Sequence, residues 1–142
     1  MKRDANNIST ILHYRKKSNQ EKFNRIIRFA ENLEHMRRIT GQYLRQRKMT
    51  REKMLSIMAR LMDQAYFWIK CSKYTIRNNN YGLTTVWKKH LDIHDDAITF
   101  SYTGKSGKPQ ERYVESKRLS QIIQQLDEIP GYRVFKYFDE KK

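Results

Sequence analysis

Lys105 stands in the stretch from Ala97 to Pro109, a pattern that would hold an ammonium group out on a stiff support. Residues 97–103 alternate apolar and polar, with Ile98, Phe100 and Tyr102 on one face, and Gly104 and Gly107 supply the backbone freedom of a tight reversal. A lysine at such a tip, with Lys108 close by, can enter a nucleic-acid groove and set its charge beside a phosphate or a departing oxygen. Lysine in a glycine-containing turn is ordinarily a solvated turn residue, so the turn by itself assigns no role. A phosphate-cradling P-loop does not fit: Thr99 lies five residues before Gly104, where that motif has glycine, and a turn between strands is the wrong context.

Composition narrows the choice of partner. The 142 residues carry 30 Lys and Arg against 15 Asp and Glu, a net charge of +15, and 38% hydrophobic with 12% aromatic content is enough for one modest core. Residues 1–60 hold 16 basic and 5 acidic residues, so +11 of the excess lies in the first part. Such asymmetry points to a polyanion, and nucleic acid is favoured over a membrane because no long apolar stretch, lipidation signal or signal-peptide core is present. The expected location is cytoplasmic and nucleoid-associated. The lone Cys71 has no intrachain disulfide partner, and His13, His35, His90 and His94 lack the companion cysteines of a zinc site, so no metal is expected.

The supporting elements can be placed by periodicity. Residues 1–18 read as a flexible or partly helical basic lead-in, with Ser18 or Asn19 capping the helix that follows. Phe23, Ile26, Ile27 and Phe29 then form an apolar stripe, continued by Leu33, Met36, Ile39, Tyr43 and Leu44. This gives either a helical hairpin broken near Asn32 or one long bent helix. Thr50 caps a second helix, expected to be the central buried one, with Met54, Leu55, Ile57, Met58, Leu61, Met62, Ala65 and Tyr66 on a broad apolar face. After an asparagine loop at residues 78–80, Val86 to Ile93, Ala97 to Thr103 and Gln110 to Glu115 read as three short antiparallel strands. Ser116 opens a last helix that Pro130-Gly131 stops ahead of an aromatic tail. The expected fold is α+β, with basic helices packed on a three-stranded antiparallel sheet.

Taken as one unit, Tyr74, the run Asn78-Asn79-Asn80-Tyr81-Gly82-Leu83-Thr84-Thr85-Val86, His90-Leu91-Asp92-Ile93, and Phe100 to Lys108 resemble the catalytic domain of type IB DNA topoisomerases. The order and spacing are closest to the bacterial and poxvirus-like branch. Lys22-Phe23 with Ile27-Arg28-Phe29, Thr50-Arg51-Glu52-Lys53 with Arg60-Leu61-Met62-Asp63, and Leu126 to Glu140 extend the resemblance to about residues 20–140, so residues 19–142 are expected to form part of such a domain. The resemblance implies enzymes that cut one DNA strand with a tyrosine, hold a 3′-phosphotyrosyl link while the other end swivels, and reseal without ATP or an obligatory metal. It implies two arginines and a histidine around the phosphate, and a hairpin lysine, matched by Lys105, that protonates the leaving 5′ oxygen. General-acid help of this kind is worth about 10² to 10⁴ in rate. By the same resemblance Tyr74 and Thr85 match DNA-backbone contacts, whereas His90 is not the family's catalytic histidine and reads as a hydrogen-bonded structural residue. Lys88 and Lys89 are expected to add a non-specific phosphate face.

The pattern also departs from the family. Six residues before Tyr74, where the resemblance calls for arginine in a Phe-Arg-Ile-Gly context, this chain reads Phe67-Trp68-Ile69-Lys70. An indole has no cationic fork, and Lys70 sets charge nearby with poorer geometry. The second arginine, the histidine and the nucleophilic tyrosine would belong to a following lobe that these residues do not match. Three readings result: part of a type IB topoisomerase, inactive as these residues alone and completed by a separate or missing C-terminal lobe; a non-catalytic DNA-binding module; or a basic RNA-binding protein. The first two take double-stranded DNA as partner, and no cofactor, membrane or small-molecule substrate is expected.

Overall fold

The computed structural model describes residues 2–70, 75 and 79–136, with side chains from residue 12 onward. Within them lie three α-helices and one sheet: α1 Lys2–Leu44, α2 Arg51–Ala65, β1 Leu91–Ile93, β2 Ala97–Thr103, β3 Pro109–Glu115 and α3 Lys117–Glu128. The sheet is antiparallel in the order β1-β2-β3, which makes the fold α+β as the sequence pattern required.

The chain divides into two compact units, residues 1–39 and 40–142. Ser18 and Asn19 sit inside α1 and cap nothing, and Asn32 does not break the helix: its Nδ2 donates to Arg28 O at 2.7 Å within a continuous turn. A helix holds its interior through i→i−4 bonds, and asparagine there costs only a few tenths of a kcal/mol. In the first unit, Leu12, Phe23, Ile26, Ile27 and Phe29 are all more than half exposed.

The second unit holds the core. Ile57 and Leu61 of α2, Ile98 and Phe100 of β2, Val114 of β3, and Ile123 and Leu126 of α3 are almost fully buried in one cluster. The helix starts follow from their caps: Thr50 Oγ1 accepts from Lys53 N–H at 3.2 Å, and Ser116 Oγ accepts from Leu119 N–H at 3.3 Å. On α2 the buried face is narrower than expected, since Leu55 and Tyr66 point to solvent. The last backbone carbonyls around the end of α1 are taken by cations, Arg118 Nη2 donating to Leu44 O at 3.0 Å and Lys53 Nζ to Gln46 O at 2.6 Å.

The first strand is shorter than the expected Val86 to Ile93. Residues 83–85 and 88–90 curl into 3₁₀ turns instead, and only Leu91–Ile93 pairs with β2. His90 closes the second turn, its Nδ1 accepting from Trp87 N–H at 3.0 Å while its ring lies 4.3 Å from that of Tyr81. Burial, and then the Lys89 charge, push the His90 imidazole below its ordinary range.

Gly82 permits a close backbone approach. A Cβ there would lie 2.6 Å from Trp68 O and 2.8 Å from Lys70 Cβ, so the extended segment 67–70 packs directly on it. Replacing Gly82 with Ala is expected to cost about 1–3 kcal/mol of unfolding free energy by forcing these backbones apart, read as a lower denaturant midpoint. Lys53 yields a second expectation. Desolvation, then the Arg118 charge, hold its ammonium below the usual value of 10.5, so the unfolded chain binds more protons between the lowered and the ordinary pKa. Wild-type stability relative to Lys53→Met should therefore rise as pH climbs through the lowered pKa toward 10.5, measured by denaturation at fixed ionic strength.

Candidate nucleic-acid interface

The Lys105 arm is a fully paired hairpin. Its register runs from Ala97 opposite Glu115 to Thr103 opposite Pro109, seven residues on each strand. Ile98, Phe100 and Tyr102 face the core, which anchors the base of the arm and fixes its direction. The reversal uses left-handed backbone at Ser106 (φ 62°) and Gly107 (φ 72°), and Gly104 N–H donates to Lys108 O at 2.8 Å across the turn. Gly104 itself has φ −94°, so its requirement is space rather than torsional freedom: a Cβ would meet Gln110 Cγ at 2.4 Å. Lys105 and Lys108 are both exposed.

Next to the arm runs the segment that leaves α2. Tyr66 ends that helix with φ 54° and ψ 41°, its N–H donating to Met62 O at 3.1 Å. Such a left-handed cap suits glycine and costs a tyrosine about 1–2 kcal/mol, a strain that the onward packing must hold in place. That turn sends Phe67 inward and Trp68 outward. Phe67 meets Phe100 edge-on at 4.9 Å and stacks on Tyr102 at 5.8 Å. The segment beyond is pinned by Leu83 N–H donating to Trp68 O at 2.9 Å, by Lys70 N–H donating to Thr84 Oγ1 at 3.3 Å, and by the Thr84 hydroxyl donating back to Lys70 O. Tyr81 N–H donates to Thr103 O at 2.7 Å and ties this layer to the arm.

Between arm and segment lies a cavity of about 390 Å³, with Trp68, Lys70, Tyr81, Tyr102, Lys105 and Gln110 among its walls. Lys70 and Lys105 thus share one concavity. Tyr102 is raised above its ordinary range by burial, with hydrogen bonding and charge from Arg112 opposing the shift. Arg112 Nη2 donates to Gln110 Oε1 at 2.9 Å, while its Nε is buried without a hydrogen-bond partner. Sequence reasoning did not single out Tyr81, Gln110 or Arg112. The signal for the last two was the alternation of Gln110, Arg112 and Val114 along one face of β3, opposite Tyr102, Phe100 and Ile98.

The other expected contact residues fall elsewhere. Tyr74 lies outside the described residues. The Thr85 hydroxyl is buried, accepting from Gly82 N–H at 3.0 Å and donating to Gly82 O at 3.2 Å. Lys88 turns inward: its Nζ donates to Asp127 O and to Ile129 O, the latter at 2.8 Å, with the Asp127 carboxylate 3.9 Å away. That places an ammonium at the negative end of α3. Lys89 is exposed, its Nζ 4.7 Å over the Trp87 ring. No helix of the described residues is long and apolar enough to cross a membrane.

DNA topoisomerase 1B of Acanthamoeba polyphaga mimivirus is 23% identical over 118 residues, which cover 83% of this chain and 35% of the viral protein. The chain therefore spans about a third of that relative's length. A family model described as the catalytic core of eukaryotic DNA topoisomerase I matches residues 12–142, and on that match the chain belongs to the DNA topoisomerase I catalytic-core family.

Proposed function

We propose that these residues form the duplex-DNA-binding part of a type IB topoisomerase, with Lys105 as its hairpin general acid. The observation that carries the reading is the fully paired β2–β3 arm, which holds the exposed Lys105 ammonium over a concavity shared with Lys70. An ammonium on so stiff a support loses little freedom on meeting a phosphate, and its proton can be aimed at a leaving oxygen. Lys70, Lys89 and Lys108 supply further phosphate contacts, which position the duplex without reading its sequence. In the complete reaction a tyrosine attacks the phosphate, the 5′ oxygen departs with the Lys105 proton, and the strand rejoins by the reverse steps. Tyr132 and Tyr137 lie in the wrong part of the family pattern to be the nucleophile, so these residues alone are expected not to relax DNA.

Trp68 favours a second reading, a non-catalytic DNA-binding module, because it stands where the family pattern has an arginine for the developing phosphorane charge. Both readings predict duplex binding, and they part on whether Lys105 speeds strand cleavage when a nucleophilic lobe is present.

Duplex DNA should compete better than single-stranded RNA for the chain. With about five phosphates contacted, log K should fall with log salt at a slope near −4.5, and each of Lys70→Gln, Lys89→Gln, Lys105→Gln and Lys108→Gln should flatten it by about 0.9. A slope that none of the four alters would refute this interface. Lys88→Met is expected to act on the fold instead. It should lower unfolding free energy by about 1–3 kcal/mol, through loss of charged hydrogen bonds to the end of α3, and leave the salt slope as it was.

A further inference from the structure

We infer that Trp68 is a stacking platform for an unstacked nucleobase, so that the Lys105 face prefers duplex DNA with a gap over intact duplex. The inference rests on the DNA-binding reading above and adds which form of DNA the cavity takes.

Tryptophan is largely buried in most folds, yet Trp68 is 72% exposed, and its backbone is anything but loose. The strained Tyr66 cap, the burial of Phe67 under Phe100, and the bonds from Leu83 and Thr84 fix the segment on both sides of it. An apolar ring is therefore held outward by a rigid backbone, at a position lining the same cavity as Lys70 and Lys105. Ring and cations in one concavity are the composition of sites that take single-stranded nucleic acid, where the ring receives a base face and the lysines receive the adjoining phosphates.

The neighbours of Trp68 decide between occupants. Ile69, Tyr81 and Tyr102 add apolar and aromatic surface to the cavity, while the charged side chains among its walls, Lys70 and Lys105, are both cationic. That charge is complementary to a polyanion. A cavity of about 390 Å³ lies in the ordinary range for small-ligand sites and is roomy enough for one base. Within an intact duplex no internal base offers a free face, because each is stacked on both sides. Opposite a single-nucleotide gap one base is unpaired, and the cost of drawing it out of the stack is lowest there.

The test measures binding of the full chain to two duplexes of equal length, one intact and one with a single-nucleotide gap. Trp68→Ala should weaken gapped-duplex binding roughly tenfold and leave intact-duplex binding unchanged, while Trp68→Phe should retain most of the gap preference. In a Trp87→Phe background, in which Trp68 is the remaining tryptophan, its emission should be quenched by the gapped duplex and much less by the intact one. Unmoved emission at saturating gapped duplex, equal weakening of both complexes by Trp68→Ala, or intact-duplex binding with no gap preference would overturn the platform and leave the DNA-binding reading standing. Failure of the wild-type chain to bind either duplex would overturn both.

Discussion

The close approach of residues 67–70 to Gly82 is the constraint on which the candidate interface depends. No residue with a Cβ fits between Trp68 O and Lys70 Cβ, so glycine lets two backbone segments touch and exchange hydrogen bonds. That contact fixes where α2 hands over to the sheet layer. It also couples the cap at Tyr66, the ring of Phe67 and the base of the β2–β3 arm into one packed unit. Polar atoms that would otherwise be orphaned at a helix exit find partners in Leu83 and Thr84.

From that unit the candidate face follows by alternation. Phe67 goes in, so Trp68 goes out. Ile98, Phe100 and Tyr102 go in, so the hairpin tip is carried away from the core with Lys105 exposed upon it. The concavity is what remains between two elements that are each anchored by an aromatic ring in the same cluster. Membership of the DNA topoisomerase I catalytic-core family gives this arrangement its context. Trp68, where the resemblance calls for an arginine, is one point at which the chain departs from the expected pattern.

Not every basic residue belongs to a ligand-facing surface. Lys88 and Lys53 both direct their ammonium groups at backbone carbonyls near helix ends, and Arg118 does the same at Leu44 O. A chain this basic uses part of its charge to satisfy its own fold, and composition alone cannot separate the two uses. Lys88 and Lys89 are adjacent in sequence, yet a 3₁₀ turn sends one to α3 and the other to solvent. The lysines that share the cavity wall, Lys70 and Lys105, are 35 positions apart.

The sequence by itself determined what rests on local rules. Alternation from Ala97 to Thr103 with its glycine-bearing turn specified the arm, the hydroxyls of Thr50 and Ser116 specified two helix starts, and the order of motifs from Tyr74 to Lys108 specified the family. Tertiary structure decided the rest. The shortening of the first strand to Leu91–Ile93, the inward turn of Lys88, the outward turn of Trp68 and Tyr66, and the burial of the Thr85 hydroxyl all depend on partners far along the chain. The physical reason is that periodicity and capping are read within a few residues, whereas a side chain's final direction is set by which distant backbone it must satisfy and which core position is already filled.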